Sequence, residues 1–80
     1  NVLFRKKRKR FRYYFFKFQN NSTRNYQNQG KKILKNIQKY KFVITFDDAA
    51  FKYVGIPASK QGIPVIFSGL NYPFEKYKKE

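Results

Sequence analysis

Two short apolar runs in the second half of the chain constrain its fold more than any other feature. The first, Phe42-Val43-Ile44-Thr45-Phe46, has no polar alternation, so both faces of a strand formed there ask for burial. Asp47-Asp48 ends it abruptly. The second, Ile63-Pro64-Val65-Ile66-Phe67, ends at Ser68-Gly69-Leu70-Asn71. Between them Ala49-Ala50-Phe51-Lys52-Tyr53-Val54 suits a short helix, closed by Gly55 with Pro57 just beyond. This connection is too long for a hairpin, so the two strands are expected to lie parallel in a βαβ unit. In open α/β sheets a ligand sits in the crevice at the carboxyl ends of the strands. Asp47, Asp48 and the turn 68–71 occupy those ends.

Eighty residues make at most one small domain, and a chain that short buries only about 60% of its unfolded surface. The aromatic content, 21%, is high enough to build a core. There is no Cys, which removes disulfides, thiolate metal sites and thiol nucleophiles. There is no His either, which removes the usual general base and the commonest transition-metal ligand. With Asp47, Asp48, Glu75 and Glu80 as its whole acidic complement, the chain is read as a non-enzyme with no cofactor. No apolar run approaches the roughly 20 residues that cross a bilayer. The block 5–12 followed by 13–16 has the outline of a signal peptide, but Lys17 cuts its apolar region short and no small-residue cleavage site follows. Met is absent even from position 1, so the chain is expected to be a processed product or a piece of a longer reading frame.

Charge is distributed very unevenly. Residues 1–41 hold 14 of the 19 Lys and Arg and no acid, whereas 42–80 hold five basic and four acidic residues. Such asymmetry points to a nucleic-acid or anionic-membrane partner, although the abundance of Lys, Asn, Ile, Tyr and Phe is also what an AT-rich coding sequence produces. Within this half, 5–10 reads as a solvated basic run that does not pack. Residues 11–18 favour a strand by their aromatic content. Asn20-Asn21-Ser22-Thr23 is a turn or helix-capping cluster. From 26 to 40, Ile33, Leu34, Ile37 and Tyr40 lie on one face of an amphipathic helix that Gly30 weakens locally. The order is basic tail, β, α, β, α, β. The expected organisation is a basic, aromatic-rich segment over 1–28, an α/β unit over 29–74 and a charged tail over 75–80.

Each candidate motif has a structural and a functional reading. In Asp47-Asp48, capping explains one carboxylate, since an N-cap satisfies free N–H groups and a second acid suits the positive end of the helix dipole. The functional reading adds a carboxylate that accepts hydrogen bonds from ligand hydroxyl or amino groups. A hard cation would want more oxygen ligands than this chain supplies. Ser68-Gly69-Leu70-Asn71 is an ordinary turn taken alone, but on the strand beside Asp47-Asp48 the two turns converge at one edge. Arg5, Lys6, Lys7, Arg8, Lys9, Arg10 and Arg12 make a nucleic-acid patch under a second reading. The aromatics of 11–18, interleaved with Arg12 and Lys17, are then either a base-stacking platform or a buried strand covering the helix 26–40.

Over about residues 30–72 the chain resembles the ABC transporter substrate-binding proteins of the type I periplasmic-binding fold. The resemblance lies in Val43-Ile44-Thr45-Phe46-Asp47-Asp48-Ala49-Ala50 after an amphipathic helix, and in Ile63-Pro64-Val65-Ile66-Phe67-Ser68-Gly69-Leu70-Asn71. It implies a partial three-stranded parallel sheet, β-α-β-α-β, forming one part of a two-lobed α/β protein. It also implies non-catalytic binding of a small solute at the cleft edge by Asp47, Asp48, Ala49, Ser68, Gly69 and Asn71. The implied partners are the solute and an importer permease or linked sensor, and the implied location is extracytoplasmic. The second lobe, the hinge and a lipid-attachment Cys are missing, and the basic segment before Asn28 departs from the family. The alternative function is a small basic nucleic-acid-binding protein.

Overall fold

The structure, a computed structural model, describes residues 1–7, 13–19 and 22–78. In chain order it contains β1 (Val2–Lys6), β2 (Tyr13–Phe16), helix α1 (Thr23–Leu34), a 3₁₀ turn (Ile37–Lys39), β3 (Tyr40–Thr45), a composite helix α2 over 48–60, β4 (Val65–Phe67) and a 3₁₀ turn (Phe74–Tyr77). The strands form one sheet in the order β2-β1-β3-β4. β1 is antiparallel to both neighbours, and β3 and β4 are parallel.

The expected three-stranded parallel β-α-β-α-β sheet is therefore replaced by a four-stranded mixed sheet with a single parallel pair. The difference originates in β1. Residues 5–10 read as an unpackable basic run, yet Val2, Leu3 and Phe4 precede them and begin a strand into which Arg5 and Lys6 are carried. A strand needs only alternate residues on its covered face, and long basic side chains lay their stems along apolar surface. Lys6 does so, with Nζ 4.7 Å from the Tyr14 ring centroid. A register shift between Arg5 and Lys6 then lets Lys6 pair with Tyr40. Once β1 is inserted between β2 and β3, β3 can have only one parallel neighbour.

Ser22 caps α1, its Oγ accepting from the Asn25 N–H at 3.2 Å. The helix ends at Leu34 rather than running on to residue 40. Ile33, Ile37 and Tyr40 are nevertheless all buried, Tyr40 as the first residue of β3 stacked on Phe4 at 4.2 Å. α2 passes through Gly55 and Pro57, where a stop was expected, by way of a π turn at Phe51–Gly55. Gly55 is there for space, because a Cβ would lie 2.9 Å from Phe51 Cδ1 and 3.4 Å from both Thr45 Cγ2 and Val65 Cγ1. The stop is Gly62 at φ +84°. Ile63 N–H reaches the Ala58 carbonyl and Gly62 N–H reaches the Ser59 carbonyl, both at 3.0 Å, the two bonds of a Schellman termination. Pro57 has no N–H to offer the Tyr53 carbonyl, and that carbonyl faces Gly30, where a Cβ would approach it to 2.7 Å. Gly30 thus lets the two helices meet backbone to backbone.

Both helices lie on one face of the sheet. Tyr14 and Phe16, Val2 and Phe4, Val43 and Thr45, and Val65 alternate onto that face, where the apolar ones join Ile33, Ile37, Val54, Ala58 and Ile63 in a continuous core. The fully buried Val and Ile side chains among them contribute about 1.5–3 kcal/mol each. The opposite face carries Tyr13 and Phe15, Leu3 and Arg5, Phe42 and Ile44, and Ile66, with no described element over it. β3 therefore buries one of the two faces its sequence asks to have covered.

Candidate functional site at the strand-end turns

The two turns after β3 and β4 meet, as the parallel pairing requires. Ser68 N–H donates to the Thr45 carbonyl at 3.0 Å, continuing the β3–β4 ladder into the second turn. Gly69 follows at φ +69°, a left-handed conformation that suits glycine. Space demands it as well, because a Cβ there would run into the Phe46 carbonyl oxygen. The second turn is thereby pressed onto the backbone of the first.

The two carboxylates have separate duties. Asp47 is the N-cap of α2, its Oδ1 accepting from Ala50 N–H at 2.8 Å and its Oδ2 from Asn1 Nδ2. Asn1 in turn receives the Phe18 N–H on Oδ1 and the Phe46 N–H on its carbonyl, each at 2.9 Å, so one residue ties the ends of β2 and β3 to the cap. Asp48 holds the second turn. Its Oδ1 accepts from Asn71 N–H at 2.7 Å, and its Oδ2 accepts from Tyr72 N–H at 3.4 Å and from the Tyr77 hydroxyl. Desolvation, the largest single influence, pushes the Asp48 carboxyl up, but the Tyr77 hydroxyl and the Asn71 and Tyr72 N–H groups together hold it below the ordinary carboxylate range.

Of the residues expected at a ligand edge, Asp47, Asp48 and Ala49 are half-buried, whereas Ser68, Gly69 and Asn71 are exposed. All six are brought to one side of the molecule. Two of them, Asp48 and Ala49, line a hollow of about 480 Å³ together with Lys52, Tyr53, Tyr72 and Lys76, whereas Asp47, Ser68, Gly69 and Asn71 are not in its lining. Lys76 Nζ lies 3.6 Å from the Tyr72 ring centroid and Lys52 Nζ 5.7 Å from that of Tyr53. The sequence reading missed Lys52, Tyr72, Lys76 and Tyr77. It assigned residues from 75 onward to a charged tail, yet Tyr77 is buried, edge-on to Phe51 at 5.0 Å. The signal available was the aromatic spacing of Tyr72, Phe74 and Tyr77 around Pro73, which is poor composition for a free tail.

Three of the seven basic residues of the alternative reading are described. Arg5 and Lys6 are half-buried within β1, and Lys7 is exposed with its N–H donating to the Lys39 carbonyl at 2.8 Å. Arg8, Lys9, Arg10 and Arg12 lie outside the described residues. Among the described residues no cluster of acidic groups is arranged to hold a metal ion, and no helix is long and apolar enough to cross a membrane. No family model, curated protein or solved structure matches the chain.

Proposed function

We propose that this chain supplies one edge of a small-solute cleft, as part of a non-catalytic substrate-binding protein of the importer-linked kind that residues 30–72 resemble. The observation that carries the reading is the convergence of the β3 and β4 end turns, with Ser68, Gly69 and Asn71 exposed and Asp48 and Ala49 lining a hollow. A permease or sensor as partner and an extracytoplasmic location belong to the same proposal.

Within that reading the chemistry of recognition differs from what two adjacent acids suggest. Asp48 spends its lone pairs on its own chain, so it shapes the edge and leaves little acceptor capacity for a ligand. The polar groups around the hollow are instead dominated by donors, the ammonium groups of Lys52 and Lys76. An acceptor-rich solute such as a small carboxylate fits them better than an amine. For the nucleic-acid alternative, Arg5 and Lys6 are built into a strand, with Lys6 against Tyr14, and so are less open to a phosphate backbone than a solvated run would be.

Amide NMR titration tests the proposal, with acetate, succinate and benzoate set against glycerol and glycine amide. Carboxylates are expected to shift Ala49, Lys52, Asn71 and Tyr72. That response should disappear in Lys52→Gln/Lys76→Gln and persist in Lys31→Gln/Lys32→Gln, a control of equal charge on α1. No shifts at that edge at millimolar concentration, or equal loss in the control, defeats the proposal.

A further inference from the structure

α2, β4 and the last turn wall a second hollow that the solute reading leaves unused. It holds about 330 Å³, and four rings line it, those of Phe51, Phe67, Phe74 and Tyr77. Phe51 and Tyr77 are buried, whereas Phe67 and Phe74 stack on each other at 5.0 Å and remain 38% and 42% exposed. Phe51 stands at the centre of the cluster, its centroid 4.7 Å from that of Phe67, 6.1 Å from that of Phe74 and 5.0 Å from that of Tyr77. Single exposed rings are ordinary on protein surfaces, but a stacked pair that lines a hollow offers a ready-made wall to an apolar guest.

The charge around this wall has one sign. Lys60, at the end of α2, and Lys78, after the last turn, both line the hollow and are exposed, and their flexible stems let either ammonium swing over its mouth. Lys78 Nζ lies 5.9 Å from the Phe74 centroid, which puts a positive charge at the edge of the stacked pair. No acidic residue is among the described residues that line the hollow. Tyr77 separates it from the Asp48 hollow, since it lines both and its hydroxyl donates to Asp48.

We infer that this hollow binds a small aromatic carboxylate of about two fused rings, with the rings against Phe67 and Phe74 and the carboxylate between Lys60 and Lys78. Size sets the ring count, because an apolar cavity of about 150 Å³ takes one benzene ring and a hollow of about 330 Å³ is roughly twice as large. The wall sets the ring chemistry, because aromatic partners gain from offset-stacked and edge-on contacts that an alkyl chain does not make. The two lysines set the charge, since an ammonium pairs with a carboxylate and repels an amine. Neither the Asp48 hollow nor its lysines take part.

The test is amide NMR titration and calorimetry on the whole chain with 2-naphthoate, neutral 2-naphthamide, 2-naphthylmethylamine and the alkyl acid octanoate. 2-Naphthoate is expected to shift Ile56, Ser59, Lys60 and Phe67, and to bind about tenfold tighter than the amide or the amine and several-fold tighter than octanoate. Lys60→Gln/Lys78→Gln, at two exposed positions, should bring 2-naphthoate down to the affinity of the amide, while Lys31→Gln/Lys32→Gln, an equal change of charge on α1, leaves it unchanged. Ser59→Trp, which places an indole in the hollow from an exposed helical position, should abolish binding with the far-ultraviolet circular dichroism retained. Equal affinity for 2-naphthoate and 2-naphthamide overturns the inference, as do octanoate binding just as tightly, equal loss in the α1 control, unchanged binding in a folded Ser59→Trp, or no binding at all. Shifts confined to Ala49, Lys52, Asn71 and Tyr72 overturn it too and leave the solute cleft standing. Shifts at Ile56 and Phe67 in a chain whose solute edge stays silent to acetate support it and defeat only the cleft.

Discussion

The two edges of the sheet share ring contacts but differ in what is added to them. β2 is fastened by rings: Tyr14 stacks on Phe4 at 5.9 Å, Phe16 meets Phe18 edge-on at 5.8 Å, and Phe18 stacks on Tyr26 of α1 at 5.5 Å. β4 has only three residues, with Ile66 and Phe67 partly exposed; Phe67 lies 4.7 Å from Phe51 and stacks on Phe74 at 5.0 Å, and to these rings β4 adds a polar clamp from Asp48 and the contact of Gly69 with the Phe46 carbonyl. Apolar burial is graded and non-directional, so the β2 edge tolerates small changes of shape. A carboxylate clamp depends on geometry and on one proton, so the β4 edge should respond to single atoms and to pH.

The largest expected effect is on the shared centre, where both edges should fail together. Phe4 lies between Tyr14 and Tyr40, and Phe4→Ala should cost about 3–5 kcal/mol, comparable to the whole stability of a domain this small. Loss of the near-ultraviolet circular dichroism and of cooperative melting is expected. A melting temperature within a few degrees of the parent would show that β1 is not the common support.

A smaller loss separates two glycines. A methyl group added at Gly62, where φ is +84°, would meet nothing within 4 Å, whereas one added at Gly69, where φ is +69°, would meet the Phe46 oxygen. Gly62→Ala should cost about 1–2 kcal/mol for backbone conformation alone. Gly69→Ala should cost at least about 1 kcal/mol more and release β4, read by urea melts and by faster amide exchange at Ser68. Equal costs would mean that the β4 edge does not depend on this contact.

Asp48→Asn comes next, at about 1–3 kcal/mol, because a single amide oxygen cannot serve all three donors on two sides. The sign of the pH dependence follows from the lowered carboxyl. Its stabilisation is fully present above the unfolded value of about 4 and is lost as pH falls through the lower folded value. Denaturant melts between pH 5 and 2 should show this slope in the parent and a shallower one in the variant. Identical slopes would separate the clamp from the titration. The smallest effect belongs to Asp47→Asn, since Asn caps about as well as Asp and only the acceptor for Asn1 Nδ2 is lost, at about 1 kcal/mol, against about 2 kcal/mol for Asp47→Ala, which loses both bonds. A larger cost for the Asn variant than for the Ala variant would assign Asp47 a role beyond the cap and the Asn1 contact.

The legibility of the sequence followed the same division. The run 42–46, the helix after Asp47 and the run 63–67 were readable because each carries its own punctuation, and the parallel pairing follows from the length between them. β1 was hidden because its three apolar residues are followed by six basic ones, and composition over that window speaks for solvent. Helix ends failed where glycine has two uses. Gly55 looked like a stop but is small for packing, while Gly62 is the actual left-handed cap. At the candidate site, the convergence of the two turns was legible. The occupation of Asp48 was not, since its partners Tyr72 and Tyr77 lie more than twenty residues away and no local pattern connects them.

The central position of β1 also bears on the order in which the molecule can assemble. Hairpin β1–β2 and the unit β3-α2-β4 are each local and can form quickly, but neither makes a sheet with a finished core. Joining them requires Val2, Leu3 and Phe4 to find Thr45, Ile44 and Val43 after a loop containing β2 and all of α1 has closed. The entropy of that closure grows only slowly with length, yet pairing at such separation is what slows folding. The β1–β3 seam is therefore expected to be the slow step of folding, and until it forms each half exposes the backbone edge the other will satisfy, an interval in which edge-to-edge association between chains is to be expected.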